Sequence, residues 1–428
     1  MILESRSKES KALNPYSDRL TGIEFRPARE HERLLYSVAE SRGFSGHFLP
    51  QKGELEYRKI DDPMHRTVCA FEGDDIVGTT LWEPYELTVP GGKSDFFGVT
   101  GVTVAPTHTR RGILREMIRR LLVEGGDAGY PIAGLWASES NIYGRFGFGI
   151  SGETVFAKID VRDGRFRATP KVKGEIRFAD VATMEKVAPV VWNRTAEKTI
   201  GMMLRTKADW DWIYDRRRIP SYGRRRAFCV VYREGTEPLG YAAYRIEHKM
   251  EAMHSHNSVH VIELVAATND AEVALWRFLL NIDLAGEVIH HHPKKSNLLW
   301  LLADPRKLSF EPYDSLWVRI LDPIKALTGR TYSAAGQVVI QLADEFCPWT
   351  QGNYELRVDS HGRATCEETE QNPDITLPVA SLGAIYMGAH YLADLQRAGR
   401  VYEHRPGAVA TIDTMFPTSG VHSFLSEF

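Results

Sequence analysis

The apolar positions of this chain change period several times, and the changes divide it into segments. Up to Val104 they alternate or run in short blocks. Ile23–Pro27, Thr67–Phe71, Ile76–Trp82, Tyr85–Val89 and Phe96–Val104 are expected strands. Glu72-Gly73-Asp74-Asp75 supplies a hairpin turn between two of them. His31–Arg42 places Leu34, Leu35, Val38 and Ala39 at helical spacing. From Ile113 to Glu124 the period is helical again, with Ile113, Leu114, Met117, Ile118, Leu121 and Leu122 on one side and arginines on the others. Gly125-Gly126 is the expected helix stop. Pro131–Ala137 and Thr154–Ile159 complete a strand–loop–helix–strand core, with the glycine-rich turn Tyr143–Gly149 between them.

A polar, basic stretch at Val161–Thr169 marks a boundary, after which the pattern recurs. Ile176-Arg177-Phe178 repeats the opening strand, and Cys229–Tyr232 with Leu239–Tyr244 repeats the hairpin. Ala274–Ile282 is an apolar helix. This second segment looks like a divergent copy of the first. It has Val265-Ala266-Ala267-Thr268-Asn269-Asp270 where the first has a basic, glycine-bearing loop, so it is expected to be catalytically silent. A third unit begins near Pro312, with strands at Leu316–Ile320, Val338–Leu342 and Tyr354–Val358 and helices over Ile375–Met387 and Ala389–Ala398. The expected organisation is α+β throughout: a mobile tail over 1–20 and domains over 21–160, 161–310 and 311–428.

Composition narrows the function. Of 428 residues 43% are apolar and 25% charged, with a net charge of −3. That balance argues against a nucleic-acid or anionic-membrane binder, which would carry a basic excess. Arg216–Arg218 and Arg224–Arg226 then suit a solvated or subunit-contacting surface. Cys69, Cys229, Cys347 and Cys366 are scattered and are expected to be free thiols of a reducing cytoplasm. The polar start has no apolar signal core, and no apolar run reaches membrane-spanning length. His290-His291-His292, with His254, His256 and His260, lacks the separated spacing of a zinc site, so no metal is expected.

The strongest chemical signal is Thr109-Arg110-Arg111-Gly112-Ile113-Leu114. A helix N-terminus exposes unpaired N–H groups and positive partial charge; a glycine admits a phosphate to the backbone, and arginines add bidentate donors. The preceding VTGVTVAP ends a strand beside this loop, where an extended pantetheine arm could pair as an added strand. Tyr143 is protonated at neutral pH and can give a proton to a leaving thiolate. Phe424 and Phe428 put large apolar groups at the end of the chain, which suggests that it docks.

VTVAPTHTRRGIL followed by ASESNIYGRFGFG resembles the Eis (enhanced intracellular survival) acetyltransferases of the GCN5-related superfamily, and LWVRILDP, LGAIYMGAHYLADL and the final Glu-Phe extend the resemblance over nearly the whole chain. The resemblance implies two tandem N-acetyltransferase-like domains and a C-terminal domain like sterol carrier protein. It implies acetyl transfer from acetyl-CoA to amines of aminoglycoside-, polyamine- or lysine-type acceptors, in a homo-oligomer that is a hexamer. By the same resemblance Val102, Thr103 and Val104 hold acetyl-CoA through their backbone, and Arg110, Arg111, Gly112, Ile113, Leu114 and Arg115 hold its phosphates. Ser138 and Glu139 border the acyl site, Tyr143 is the general acid, and the terminal carboxylate of Phe428 is the general base. An α-carboxylate has a pKa of about 3.3–3.7. It therefore needs burial or a bridging water to serve as that base. Thr109 and Leu114 depart from the superfamily's Gln/Arg-x-x-Gly-x-Gly/Ala, and Gly101 stands where a bulkier residue would line the acceptor site. The rival is a lipid or small-ligand carrier on a dead transferase scaffold, which would be expected to have lost Arg110, Gly112 or Tyr143.

Overall fold

The computed structural model describes residues 17–45, 63–168, 170–207, 209–210, 227–251, 253–293 and 296–424. Phe428 and both arginine runs lie outside the described residues. The described residues form two compact units. One takes the chain up to Gly152 and from Leu316 to Ser419; the other takes Glu153–Ser315 and the stretch from Gly420.

The first unit opens with a short 3-10 turn, Ser17–Leu20, whose Leu20 packs on the core, so the end of the expected tail is part of the fold. Strands β1 (Ile23–Arg26), β2 (Cys69–Glu72), β3 (Asp75–Val89) and β4 (Gly92–Val104) pair antiparallel in chain order, and β5 (Ile132–Trp136) adds parallel to β4. Alternation along β2 separates the two faces: Ala70 enters one core, Cys69 and Phe71 the other. Helix α1 (Arg33–Gly43) brings Tyr36 to the second of these. Helix α2 (Ile113–Asp127) buries Ile113, Met117, Ile118, Leu121 and Leu122 in the first. Gly125 does not stop α2; it lies inside the helix, where a Cβ would press on Phe97 and Leu321 at 3.0–3.2 Å. The short helix α3 (Ser140–Tyr143) leads to β6 (Gly149–Ile150).

The chain then leaves this sheet. Strand β7 (Glu153–Asp160), expected in the first domain, lies in the seven-stranded sheet of the second unit, between two antiparallel neighbours. That sheet is built from β7, β8 (Glu175–Ala179), β10 (Phe228–Glu234), β11 (Glu237–Glu247), β14 (Asn257–Ala266), β15 (Ala285–Pro293) and β16 (Ser309–Asp314). The short pieces β9 (Thr199–Ile200), β12 (Met250–Glu251) and β13 (His254–Ser255) lie outside it. Helix α4 (Val181–Ala196) starts on the Asp180 cap, and α5 (Asn269–Leu279) starts five residues before the expected Ala274, on a Thr268 cap. The three histidines at 290–292 belong to β15. Helix α6 (Leu298–Leu301) closes this stretch.

Strand β17 (Leu316–Ile320) returns to the first unit and inserts between β5 and β6, pairing antiparallel with both. It therefore completes the first sheet instead of opening the third domain. The C-terminal domain follows: α7 (Pro323–Thr328), then a five-stranded sheet of β18 (Gly336–Ala343), β19 (Gly352–Val358), β20 (Ala364–Glu368), β21 (Ile375–Pro378) and β22 (Tyr402–Glu403), with α8 (Val379–Tyr386), α9 (Leu392–Arg397) and α10 (Ala408–Met415). The expected helix from Ile375 begins as β21, because the residue before Pro378 is held extended and Pro378 then caps α8. The β3–β4 hairpin reaches this domain, where the Thr331 N–H donates to the Pro90 carbonyl at 2.8 Å. Finally β23 (Val421–His422) pairs parallel with β9, and Phe424 fills the space left open at Gly201.

Candidate active site

Two features of the first sheet meet at the end of β4. The first is a bulge. Thr79 opposes Thr103 and Leu81 opposes Thr100, so Gly101 and Val102 together face one residue of β3. Gly101 has φ +60, and a Cβ there would meet the Tyr36 hydroxyl at 2.7 Å and Glu40 Oε1 at 3.1 Å. Both the positive φ and this close approach favour glycine here. Thr79 donates its hydroxyl to the Gly101 carbonyl at 2.8 Å. Thr79 has one proton to give, so the 2.6 Å contact with Thr103 is made by the Thr103 hydroxyl donating. The second feature is a parting of strands: β4 pairs with β5 only over Phe96–Gly98. Among the described residues the β5-facing backbone of β4 at Val102, Thr103 and Val104 has no strand partner. Val102 and Val104 turn their side chains to the α2 core, leaving their backbone at the opening.

The loop from β4 to α2 sits beside this opening. Pro106–His108 is a 3-10 turn; Arg110 takes φ +63 and Gly112 φ +94. Gly112 is the N-cap of α2 and brings no capping side chain. The first intrahelical bond runs from the Glu116 N–H to the Gly112 carbonyl at 3.1 Å, so the N–H groups of Ile113, Leu114 and Arg115 precede it. Ile113 is 1% exposed, so it can offer only backbone to a ligand.

The arginines divide by their partners. Arg111 rests on Glu72 at 3.1 Å, and His108 meets the same carboxylate at 3.0 Å. His108, then Arg111, holds the Glu72 carboxyl below its usual range. Arg119 and Arg120 both pair with Glu116, at 2.7 and 2.8 Å. Burial pushes the Glu116 carboxyl up, but these two guanidiniums bring it down overall. Arg110 and Arg115 make no ion pair among the described residues; Arg115 stacks on Phe346, 4.9 Å from the ring centroid. Ser138 and Glu139 are exposed after β5, with Glu139 the N-cap residue of α3.

Tyr143 ends α3 and is 6% exposed, edge-on to Phe148 at 6.0 Å. Burial alone pushes its phenol up to about 12. It stays protonated at neutral and mildly alkaline pH.

The second sheet repeats part of this plan. β14 bulges against β11 at Ala243/Tyr244 and pairs with β15 only as far as Val261. There the resemblance stops. His290 Nδ1 lies 3.2 Å from the Val261 carbonyl at the opening. Helix α5 is capped by Thr268, whose hydroxyl accepts the Ala271 N–H, and its first turn carries Asp270 and Glu272.

An uncapped, basic helix start beside a parted parallel strand pair is an arrangement for binding a phosphorylated, extended ligand. Comparison with known proteins agrees. Acetyltransferase (GNAT) domain models match residues 24–151 and 201–320, and a sterol carrier protein domain model matches 324–424. An uncharacterized N-acetyltransferase of Streptomyces avermitilis is 37% identical over 361 residues, 83% of this chain and 87% of the relative. N-acetyltransferase Eis of Mycobacterium tuberculosis is 32% identical over 354 residues, 80% of this chain and 84% of that protein.

This chain belongs to the Eis family of N-acetyltransferases.

The crystal structure of Eis1 from Mycobacterium abscessus superimposes with a TM-score of 0.80 at 28% identity, covering 95% of this chain and all of that one. The Eis architecture of two GNAT domains followed by a sterol-carrier-like domain is the fold described above. Among the described residues no group of three or more His, Cys, Asp or Glu could hold a metal, and no helix is long and apolar enough to cross a membrane. The sequence pattern missed several residues around this opening: Thr79, Tyr36 and Glu40 at the bulge, Glu72 beside Arg111, and Phe346 beside Arg115. The one local signal that could have found a partner is the spacing of Glu116 from Arg119 and Arg120, three and four residues.

Proposed function

We propose that the chain transfers acetyl from acetyl-CoA to primary amines of aminoglycoside-, polyamine- or lysine-type acceptors by direct attack. One observation carries the reading: the uncapped N-terminus of α2 and the unpaired edge of β4 adjoin in one place. The N–H groups of Ile113, Leu114 and Arg115, the Gly112 backbone and the Arg110, Arg111 and Arg115 side chains suit the phosphates. The backbone of Val102, Thr103 and Val104 suits the pantetheine arm as an added strand. Acetyl-CoA, when bound, supplies the activated thioester. Backbone N–H groups at the β4 edge polarise its carbonyl, with Ser138 and Glu139 bordering the acyl end. Tyr143 gives its proton toward the departing sulfur. The Phe428 carboxylate takes the amine proton, directly or through a water.

The second domain is non-catalytic in this reading: the Thr268 hydroxyl takes up the Ala271 N–H at the start of α5, and Asp270 and Glu272 repel a phosphate there. On this reading the enzyme works in the cytoplasm as a homo-hexamer, without metal, membrane or nucleic acid; four free cysteines support a reducing compartment. The deciding assay is acceptor-dependent release of free CoA thiol with a panel of aminoglycosides, polyamines and lysine peptides. Removal of Phe428 should cut turnover and leave acetyl-CoA affinity unchanged. Absence of any acetyl-CoA binding would defeat the reading.

A further inference from the structure

Phe346 belongs to the C-terminal domain, in the segment between β18 and β19, yet its ring lies in the core beneath α2. Two side chains rest on it. The Arg115 guanidinium stacks over the ring at 4.9 Å. Phe146, in the turn that follows Tyr143, packs on the ring with centroids 4.9 Å apart and planes tilted by 46°. The segment is held by Asp344. Its carboxylate accepts the N–H groups of Phe346 at 3.1 Å and Cys347 at 3.0 Å, together with the Thr350 hydroxyl and the guanidinium of Arg319, which is 0% exposed on β17. A buried ion pair therefore sets where the Phe346 ring sits.

The charge pattern gives this contact a purpose. Arg111, Arg119 and Arg120 are each committed to a carboxylate, and Arg115 is not. Contact with the ring face restrains the guanidinium, and its N–H donors make no ion pair among the described residues, so they can serve an oxyanion. We infer that Phe346 is a positioning residue: it holds Arg115 in place for the phosphate-bearing end of the acyl donor, which makes the C-terminal domain a working part of the coenzyme site. This rests on the reading that the α2 N-terminus takes the phosphates of acetyl-CoA.

The test measures CoA affinity by calorimetry in the full chain for Phe346→Leu, Phe346→Tyr, Arg115→Gln and the Phe346→Leu/Arg115→Gln double variant. Turnover of S-acetyl-pantetheine, a donor without phosphates, is measured alongside. Losing a partly desolvated cation–π contact predicts CoA binding weaker by about three- to tenfold in Phe346→Leu. Phe346→Tyr, which keeps the ring, should bind like the parent. In the Arg115→Gln background Phe346→Leu should add nothing, and S-acetyl-pantetheine should be used equally by all variants. Should Phe346→Leu not fold, a pentafluorinated phenylalanine at 346 keeps the shape, removes the negative ring face and should weaken CoA binding likewise. Unchanged CoA affinity, or equal loss with and without Arg115, would overturn the inference while leaving the acetyltransferase reading intact. Failure of the parent protein to bind CoA would overturn both.

Discussion

Replacing Tyr143 by phenylalanine removes one hydroxyl from a buried ring and leaves its edge-on packing against Phe148 in place. The size of the effect follows from the shifted phenol. At about 12 it is a weaker acid than a thiol of about 8.5. Complete proton transfer to a thiolate would be uphill by about 3.5 pK units, or about 5 kcal/mol, in the geometry described. In the proposed mechanism Tyr143 therefore acts mainly by hydrogen-bonding the charge that grows on sulfur. A hydrogen bond to a charged group contributes about 1.5–3 kcal/mol. Tyr143→Phe should then lower kcat by about 10- to 150-fold, below the upper end of general-acid effects. Acetyl-CoA affinity should hold, because the ring and the α2 N-terminus are untouched. The assay is steady-state thiol release beside calorimetric CoA binding and thermal melting. The pH profile gives a second check: the parent enzyme should show no alkaline loss of activity from Tyr143 below about pH 11. Its folded pKa exceeds the unfolded value of about 10, so the ring's linked stability holds below pH 10 and falls as pH rises through 12. A kcat within about threefold of the parent would refute the role, since no donated hydrogen bond that weak could matter.

Gly112→Ala forces a side chain into φ +94 at the N-cap of α2; it should cost about 1 kcal/mol of stability and weaken CoA binding, read by melting and calorimetry. Gly101→Ala meets both a positive φ and the Tyr36 hydroxyl at 2.7 Å, so it should destabilise more than Gly112→Ala in the same melts. Glu287 is pushed up by burial, but Lys158, Ser258 and Lys249 together bring it down to about 2. Because its folded pKa is depressed, it should contribute on the order of 3 kcal/mol above pH 5 that disappears as pH falls toward 2. Glu287→Gln should accordingly flatten the acid limb of a stability–pH curve, and an unchanged limb would refute the assignment.

How far the site could be read in advance depends on how local each piece is. The α2 loop was legible because its chemistry is contained in one run: arginines, a glycine at the helix start and apolar residues at helical spacing. The same local pattern could not sort Arg115 from Arg119 by availability, because the sorting depends on Glu116 at one end and on Phe346, far along the chain, at the other. The wedge beside β4 was half legible. VTGVTVAP announces a strand, but a bulge is a relation between two strands, and nothing within residues 99–104 states that β5 stops pairing at Gly134. The exchange of β7 and β17 between sheets was not legible at all. Thr154–Ile159 and Leu316–Ile320 read as strands wherever they pair, and period-two alternation identifies a strand's faces without naming its neighbours. That exchange also explains why Phe346 reaches α2. β17 lies inside the first sheet beside β5, and its Arg319 binds Asp344, which fixes the segment carrying Phe346. The strand that looked like the opening of a third domain is thus the element that joins this domain to the core beneath α2. Substitutions at Arg319 or Asp344 should disturb coenzyme affinity through Phe346, although neither residue is placed against the coenzyme.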